Sequence, residues 1–172
     1  MNIIAIDPGT FESAIVILDE GYNIIYKSIT ENEKLLGELY TKFDIENSKL
    51  VIEMVASYGM PVGRDVFETC VWIGRFFESF SVRFNSPELV TRDKIKLQHC
   101  FSKRAKDVNI IKAMIDRFGN IRKHGKYSKG TKKNPGFFYE FKDDIWQAFA
   151  LAVYALDTKN IKGEKITGVA AI

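Results

Sequence analysis

Cysteine is scarce in this chain: 172 residues include two, Cys70 and Cys100. They are too few and too far apart for a disulfide framework or a thiolate metal site, so both are expected as reduced thiols. Histidine is equally scarce, and His99 and His124 read as ordinary structural or surface side chains. No apolar run approaches the roughly 20 residues that span a bilayer, which argues against a membrane protein. A basic n-region and a small-residue cleavage site are missing too. Met1 leads straight into Asn2-Ile3-Ile4-Ala5-Ile6, which reads as a strand, and a cytoplasmic location is expected. No internal repeat is present. What remains is 46% apolar and 27% charged, the composition of a globular protein, with a length that suits one domain over residues 1–172.

Acidic residues are sparse in one long stretch. From Arg92 to Lys133 fourteen Lys/Arg face three Asp, a balance of +11 in a chain whose total is +3. The rest of the chain therefore carries −8. Segregation on this scale describes a surface built to meet a polyanion, and nucleic acid is the partner it implies. Much of this charge falls in residues 119–135, GNIRKHGKYSKGTKKNP, where apolar anchors nearly vanish. That segment reads as a mobile basic loop whose Arg122, Lys123, Lys126, Lys129, Lys132 and Lys133 track DNA backbone.

Periodicity supplies the elements. Residues 2–6, 13–18 and 23–29 predict a three-stranded meander, with the second turn at Gly21. Leu35, Leu36, Leu39, Tyr40 and Phe43 predict an amphipathic helix over 31–43 behind a Thr30 cap. The run KLVIEM at 49–54 suits a buried parallel strand. A helix over 62–80, a strand over 88–91, a helix over 107–118 and a final helix over 143–157 complete an α/β order. In that order the first and fourth strands can lie side by side and parallel.

Two acids interrupt these apolar strands. Asp7 ends the first and is followed by Pro8-Gly9-Thr10; Glu53 lies near the end of the fourth. Adjacent parallel strands would set the two carboxylates about 4.8 Å apart at one end of the sheet. Buried carboxylates repel and lose hydration, so a divalent cation with oxygen preference is the simplest reason to keep the pair. Two such ions would activate water and stabilise a leaving oxygen in phosphodiester cleavage. Asp143 and Asp144, at the start of the last helix, offer a third ligand. Asp144 shares a face with Gln147, while Asp143 points about 100° away. Tyr58, in the helix-breaking stretch after Glu53, is a candidate to stack on an opened base.

The run IIAIDPGTFESAIVILD resembles the opening of the RuvC-type Holliday junction resolvases, VIEM resembles their second metal-binding strand, and KDDIWQAFALAVYALD resembles their terminal metal-binding helix. The later stretches KIKLQHCFSKRAKDVNIIKAMIDRFG and GTKKNPGFFYEFKDDIWQAFA look most like phage-borne members. This resemblance implies an RNase H-like fold: a mixed five-stranded sheet, first three strands antiparallel, fourth and fifth parallel to the first, flanked by helices. It implies a homodimeric endonuclease that uses Mg2+, with Mn2+ able to substitute, two ions to a site, on four-way junctions and other branched DNA. Asp7, Glu53 and Asp144 take the family's ligand positions. Gln147 occupies the place of the fourth acid, leaving that role to Asp143, to the Gln147 carbonyl oxygen or to water. Lys96 and Lys106 look like the lysines near the scissile phosphate, with Lys103 and Arg104 beside them. The apolar breadth of Val66, Val71, Trp72, Ile73, Phe76, Phe77 and Phe80 also suits a dimer face. Alternatives are a protein that binds junctions without cutting, or a nuclease of this fold acting on flaps, forks or RNA–DNA hybrids. An actin-like ATPase shares the D-x-G-T turn. It would need a second phosphate loop and an adenosine motif, for which no candidate exists, so no nucleotide cofactor is expected.

Overall fold

Continuously apolar strands, covered on both faces, give the sheet, and residues spaced by three and four give the helices that cover it. The computed structural model describes residues 1–44, 46–57, 59, 61–82, 86–123 and 125–167, with 123 and 161–167 described by backbone alone. Strands β1 (Asn2–Asp7), β2 (Glu12–Leu18) and β3 (Ile24–Glu31) precede α1 (Asn32–Thr41), β4 (Ser48–Met54), α2 (Arg64–Ser81) and β5 (Glu88–Thr91). Then come α3 (Arg92–Cys100), α4 (Asp107–Phe118), the short strands β6 (Ile121–Lys123), β7 (Lys126–Ser128), β8 (Gly130–Thr131) and β9 (Asn134–Pro135), and α5 (Ile145–Thr167). The main sheet runs β3-β2-β1-β4-β5, with β1, β2 and β3 antiparallel and β4 and β5 parallel to β1. This is the mixed five-stranded sheet of an RNase H-like fold, as expected.

Strand parity divides the core in two. Ile4, Ile6, Ile15, Ile17, Leu50 and Ile52 face α1 and α2, meeting Leu35, Leu39, Ile73, Phe76 and Phe80. Ile3, Ala5, Ala14, Val16, Val51 and Val90 face the other way, against α3, α4 and above all α5. Residues 148–153 of α5 are fully buried, so this helix is apolar nearly all round, as a helix sandwiched beneath other elements must be. Its entry is fixed by a ring cluster: Phe138 lies 5.0 Å from Phe141, 4.8 Å from Trp146 and 5.3 Å from Phe149. Farther along, Asp157 accepts a 2.6 Å bond from the Tyr22 hydroxyl and two from Arg117 at 2.7 and 2.8 Å.

Four local expectations change. Thr30 is part of β3 and does not cap α1; Glu31 stands at the N-cap without a side-chain bond, and Asn32 begins the helix. Helix α3 was not anticipated, because its sequence RDKIKLQHC buries Ile95 alone and so shows no apolar stripe. Helix α5 starts at Ile145 and not at residue 143, since Asp143 adopts a left-handed φ of 42° that cannot continue a helix. The basic stretch expected as an irregular loop contains two small hairpins, β6–β7 and β8–β9. Their anchor lies outside the hairpins: the Phe137 N–H donates to Asn120 Oδ1 at 2.8 Å.

Candidate active site

The same parity that builds the core aims the acids. Asp7 follows Ile3 and Ala5, and Glu53 follows Val51, so both carboxylates leave the sheet on the α5 face. β1 and β4 run parallel with Ile6 opposite Ile52, which brings Asp7 and Glu53 to neighbouring positions one residue on. β5 places Val90 opposite Glu53, and two residues later, with the same parity, comes Arg92. Chain order thus delivers two acids and one guanidinium to one end of three adjacent parallel strands.

The turn after Asp7 is held by a buried polar network. Asn32 donates to the Gly9 carbonyl at 3.0 Å, Ser13 Oγ donates to Asn32 Oδ1 at 2.6 Å, and the Gly9 N–H donates to Ser13 Oγ at 3.3 Å. Ser13 and Asn32 are both buried, so each bond replaces lost hydration and the turn cannot relax without breaking one. A Cβ on Gly9 would stand 2.4 Å from the Glu12 carbonyl oxygen, which reserves that position for glycine.

Electrostatics mark the site. Burial pushes the Asp7 carboxyl well above the ordinary range; Glu53, Asp144 and Asp107 push it further and Arg92 opposes them. Glu53 is pushed up to about 7 by burial, with Arg92 and Lys96 pulling down and Asp107 pushing up. Arg92 Nη1 donates to Glu53 Oε2 at 2.7 Å, and both side chains are largely shielded, 21% and 13% exposed. Arg92 Nε lies 3.7 Å and Lys96 Nζ 3.9 Å from Asp107 Oδ1. The centre is therefore a cluster of Asp7, Glu53, Asp107, Asp144, Arg92 and Lys96.

Of the expected ligands, Asp7 and Glu53 come to neighbouring strand ends, while Asp144, exposed just before α5, reaches Asp7 only as a nearby negative charge. Asp143 is exposed and is not among the principal charges acting on either Asp7 or Glu53. Gln147 is buried, and its Oε1 has no hydrogen-bond partner among the described residues. Lys96 stands at the cluster. Lys106 is exposed immediately before Asp107, while its N–H donates to Asn109 Oδ1 at 2.8 Å. Lys103 and Arg104 are exposed in the connection between α3 and α4. Tyr58 and His124 lie outside the described residues, and Lys123 is placed in β6 by its backbone. Arg122 bonds the Tyr127 hydroxyl at 2.9 Å; Lys126, Lys132 and Lys133 are exposed on the hairpins. Lys129 lines a cavity of 690 Å³ with Lys27 and Lys142. His99 is half-buried, with a ring nitrogen 2.9 Å from the Ala150 carbonyl oxygen, a structural histidine.

Three participants escaped the sequence reading. Arg92 and Asp107 were counted as charges of the basic segment, although Arg92 directly follows a strand that pairs with the Glu53 strand. Asn32 acts across a turn 23 residues away, and its burial at a helix start had no pattern to announce it.

The donor set is all oxygen, which suits a hard divalent ion such as Mg2+ or Mn2+. The crowding of negative charge that raises proton affinity at Asp7 attracts a cation by the same Coulomb force. Among the described residues no three His, Cys, Asp or Glu side chains are gathered closely enough to hold a metal as they stand, and Arg92 engages one oxygen of Glu53. The donor chemistry suits a divalent ion, and holding one requires the carboxylates to draw together and Arg92 to share or release Glu53.

By sequence, neither a family model nor any curated protein matches the chain. By structure, it is similar to RuvC of Thermus thermophilus. The RuvC chain solved in complex with a Holliday junction substrate has a TM-score of 0.62 and 10% identity over 93% of this chain and 96% of that one. A second structure of the same RuvC gives 0.60 and 14% over the same shares. Identity this low establishes a shared fold.

Proposed function

We propose that the chain is a divalent-metal-dependent endonuclease of RuvC type, phage-borne, one nuclease domain to a subunit, acting as a homodimer on four-way junctions and other branched DNA. One observation carries this reading: two half-buried acids stand at the ends of adjacent parallel strands, with the negative charge of Asp144, just before α5, acting on the first. It is supported by the fold shared with a RuvC solved on a Holliday junction.

Asp7, Glu53 and Asp144 would hold Mg2+, two ions by the resemblance, with Mn2+ able to replace it. Bound there, the metal supplies an activated water and neutralises charge on the phosphate. The network of Ser13, Asn32 and Gly9 keeps Asp7 at a fixed position, so ligand geometry is prepared before substrate arrives. Arg92 shields Glu53 until a cation or phosphate competes for it. Lys96 and Lys106, on either side of Asp107, stabilise negative charge that develops on the transferring phosphoryl group. Lys103, Arg104 and the two hairpins hold backbone and set register without reading sequence. For the dimer, α2 leaves Phe67 61% and Val71 62% exposed, apolar area that a second subunit would cover.

Labelled four-way junctions, flaps, forks and RNA–DNA hybrids incubated with Mg2+ or Mn2+ test the reading, with Asp7→Asn as control. Paired nicks in the junction, absent in the variant, are expected. A second reading, a protein that binds junctions without cutting, is favoured by neutral Gln147 at the fourth acid position and by the Arg92–Glu53 pair. Binding without scission under both metals would establish that reading and refute the enzyme.

A further inference from the structure

The most exposed large apolar side chain among the described residues is Phe101, at 90%. It stands at the C-cap of α3 in a left-handed conformation, φ 55°, with its N–H bonded to the Leu97 carbonyl at 3.0 Å. A non-glycine residue in this region carries strain of about 1 kcal/mol or more, and helices usually spare it by placing glycine there. Here strain and exposure fall on the same phenylalanine. Leu97, one turn earlier, is 48% exposed, and Val108, at the start of α4, is 65% exposed.

The surroundings of Phe101 are basic. Lys103, Arg104 and Lys106 are all exposed within the next five residues. Asp107, which ends this connection, touches the active-site cluster through Lys96 and Arg92. An apolar ring set among cations fits a ligand that is anionic at its edge and flat and apolar inside. A nucleic acid whose bases are unpaired or easily unstacked has both features: phosphates for the cations and a π-face for the ring. Fully stacked duplex offers the phosphates and hides the faces. Branch points are where stacking is broken.

We propose that Phe101 is a base-stacking residue that inserts at the branch point of the substrate, with Lys103, Arg104 and Lys106 holding the flanking phosphates. The proposal rests on the nucleic-acid reading above and adds to it the element that separates branched from plain DNA.

The test uses the full chain in EDTA, a four-way junction carrying 2-aminopurine at the branch, and a duplex of equal length. Phe101→Ala is expected to weaken junction binding about tenfold, within the range of one lost base stack, and to leave duplex binding unchanged. Its salt slope on the junction should equal that of the wild type, because no charge is removed. Phe101→Tyr, which keeps the ring, should bind as the wild type does. Wild type should change 2-aminopurine emission on binding, and Phe101→Ala should not. Unchanged junction affinity in Phe101→Ala overturns the proposal, and so does an equal loss on duplex. A change in sedimentation without a change in junction binding overturns it as well and makes Phe101 a protein–protein contact. Should wild type show no preference for the junction at all, the proposed function fails, and that outcome is distinct from a junction-selective protein indifferent to Phe101.

Discussion

Glu53→Gln separates what the site does for stability from what it does for chemistry. Burial raises the Glu53 carboxyl from 4.5 to about 7, some 2.5 units, each unit being about 1.36 kcal/mol. Below pH 4.5 the group is protonated in both folded and unfolded chains and contributes nothing. Between 4.5 and 7 the unfolded chain ionises while the folded one keeps its proton, so stability falls as pH rises. Above 7 the loss is complete, at about 3 kcal/mol. Glutamine copies the shape of the protonated acid and still accepts from Arg92, so the variant escapes the loss. In EDTA its advantage over wild type should grow from near zero at pH 4.5 to about 3 kcal/mol at pH 8, a shift in Tm of roughly 6–12 °C. Urea unfolding across that pH range measures it. Mn2+ should then stabilise wild type and leave Glu53→Gln nearly unaffected. A stability difference that does not change with pH, or a variant weaker than wild type at pH 8, would refute the assignment of Glu53 as a buried, charge-crowded ligand.

Four further outcomes are expected. Asp7→Asn and Asp144→Asn each abolish junction cleavage in a gel assay while junction binding persists, whereas Asp143→Asn cuts normally; equal loss in all three would reverse the choice between the neighbouring aspartates. Asn32→Ala strands the Gly9 carbonyl and Ser13 hydroxyl, lowering stability by about 1–3 kcal/mol and weakening Mn2+ affinity roughly 10–100-fold, read by denaturation and calorimetry. Replacing Lys126, Lys129 and Lys132 together by alanine flattens the salt dependence of DNA binding by nearly three units if each touches a phosphate, at about 0.9 per contact; an unchanged slope removes the hairpins from the interface. Val71→Glu on α2 yields monomers by sedimentation, and a variant still dimeric at micromolar concentration places the interface elsewhere.

The sheet and the acid pair were legible because their cause is local: alternation sets which face each residue joins, and Asp7 and Glu53 break an apolar pattern that makes them visible. Parallel pairing of β1 with β4 followed from the order of elements. Helix α3 was hidden for the opposite reason, since one buried isoleucine among charges carries no period. Arg92 and Asp107 were visible as charges but not as neighbours, because what joins them is the placement of β5 beside β4. The hairpins at 121–135 are held by Asn120 and the ring cluster beyond them, and two-residue strands such as β8 have no alternation to read. Helical spacing already set Asp143 and Asp144 about 100° apart in the sequence, but the left-handed backbone at the first, which keeps it out of α5, had no signal there.

The four carboxylates of the cluster enter the chain at positions 7, 53, 107 and 144, and the last immediately precedes the helix that closes the core. A chain emerging from the ribosome carries Asp7 and Glu53 long before Asp144: the 91 residues from Met54 to Asp144 take roughly 5–20 s to synthesise. Until α5 docks, its face of the sheet is uncovered and the ligand set is incomplete, so no partial product has the acids in place. The order of residues thus acts as a timer. For the nuclease proposed above, cutting would wait until the fold is finished.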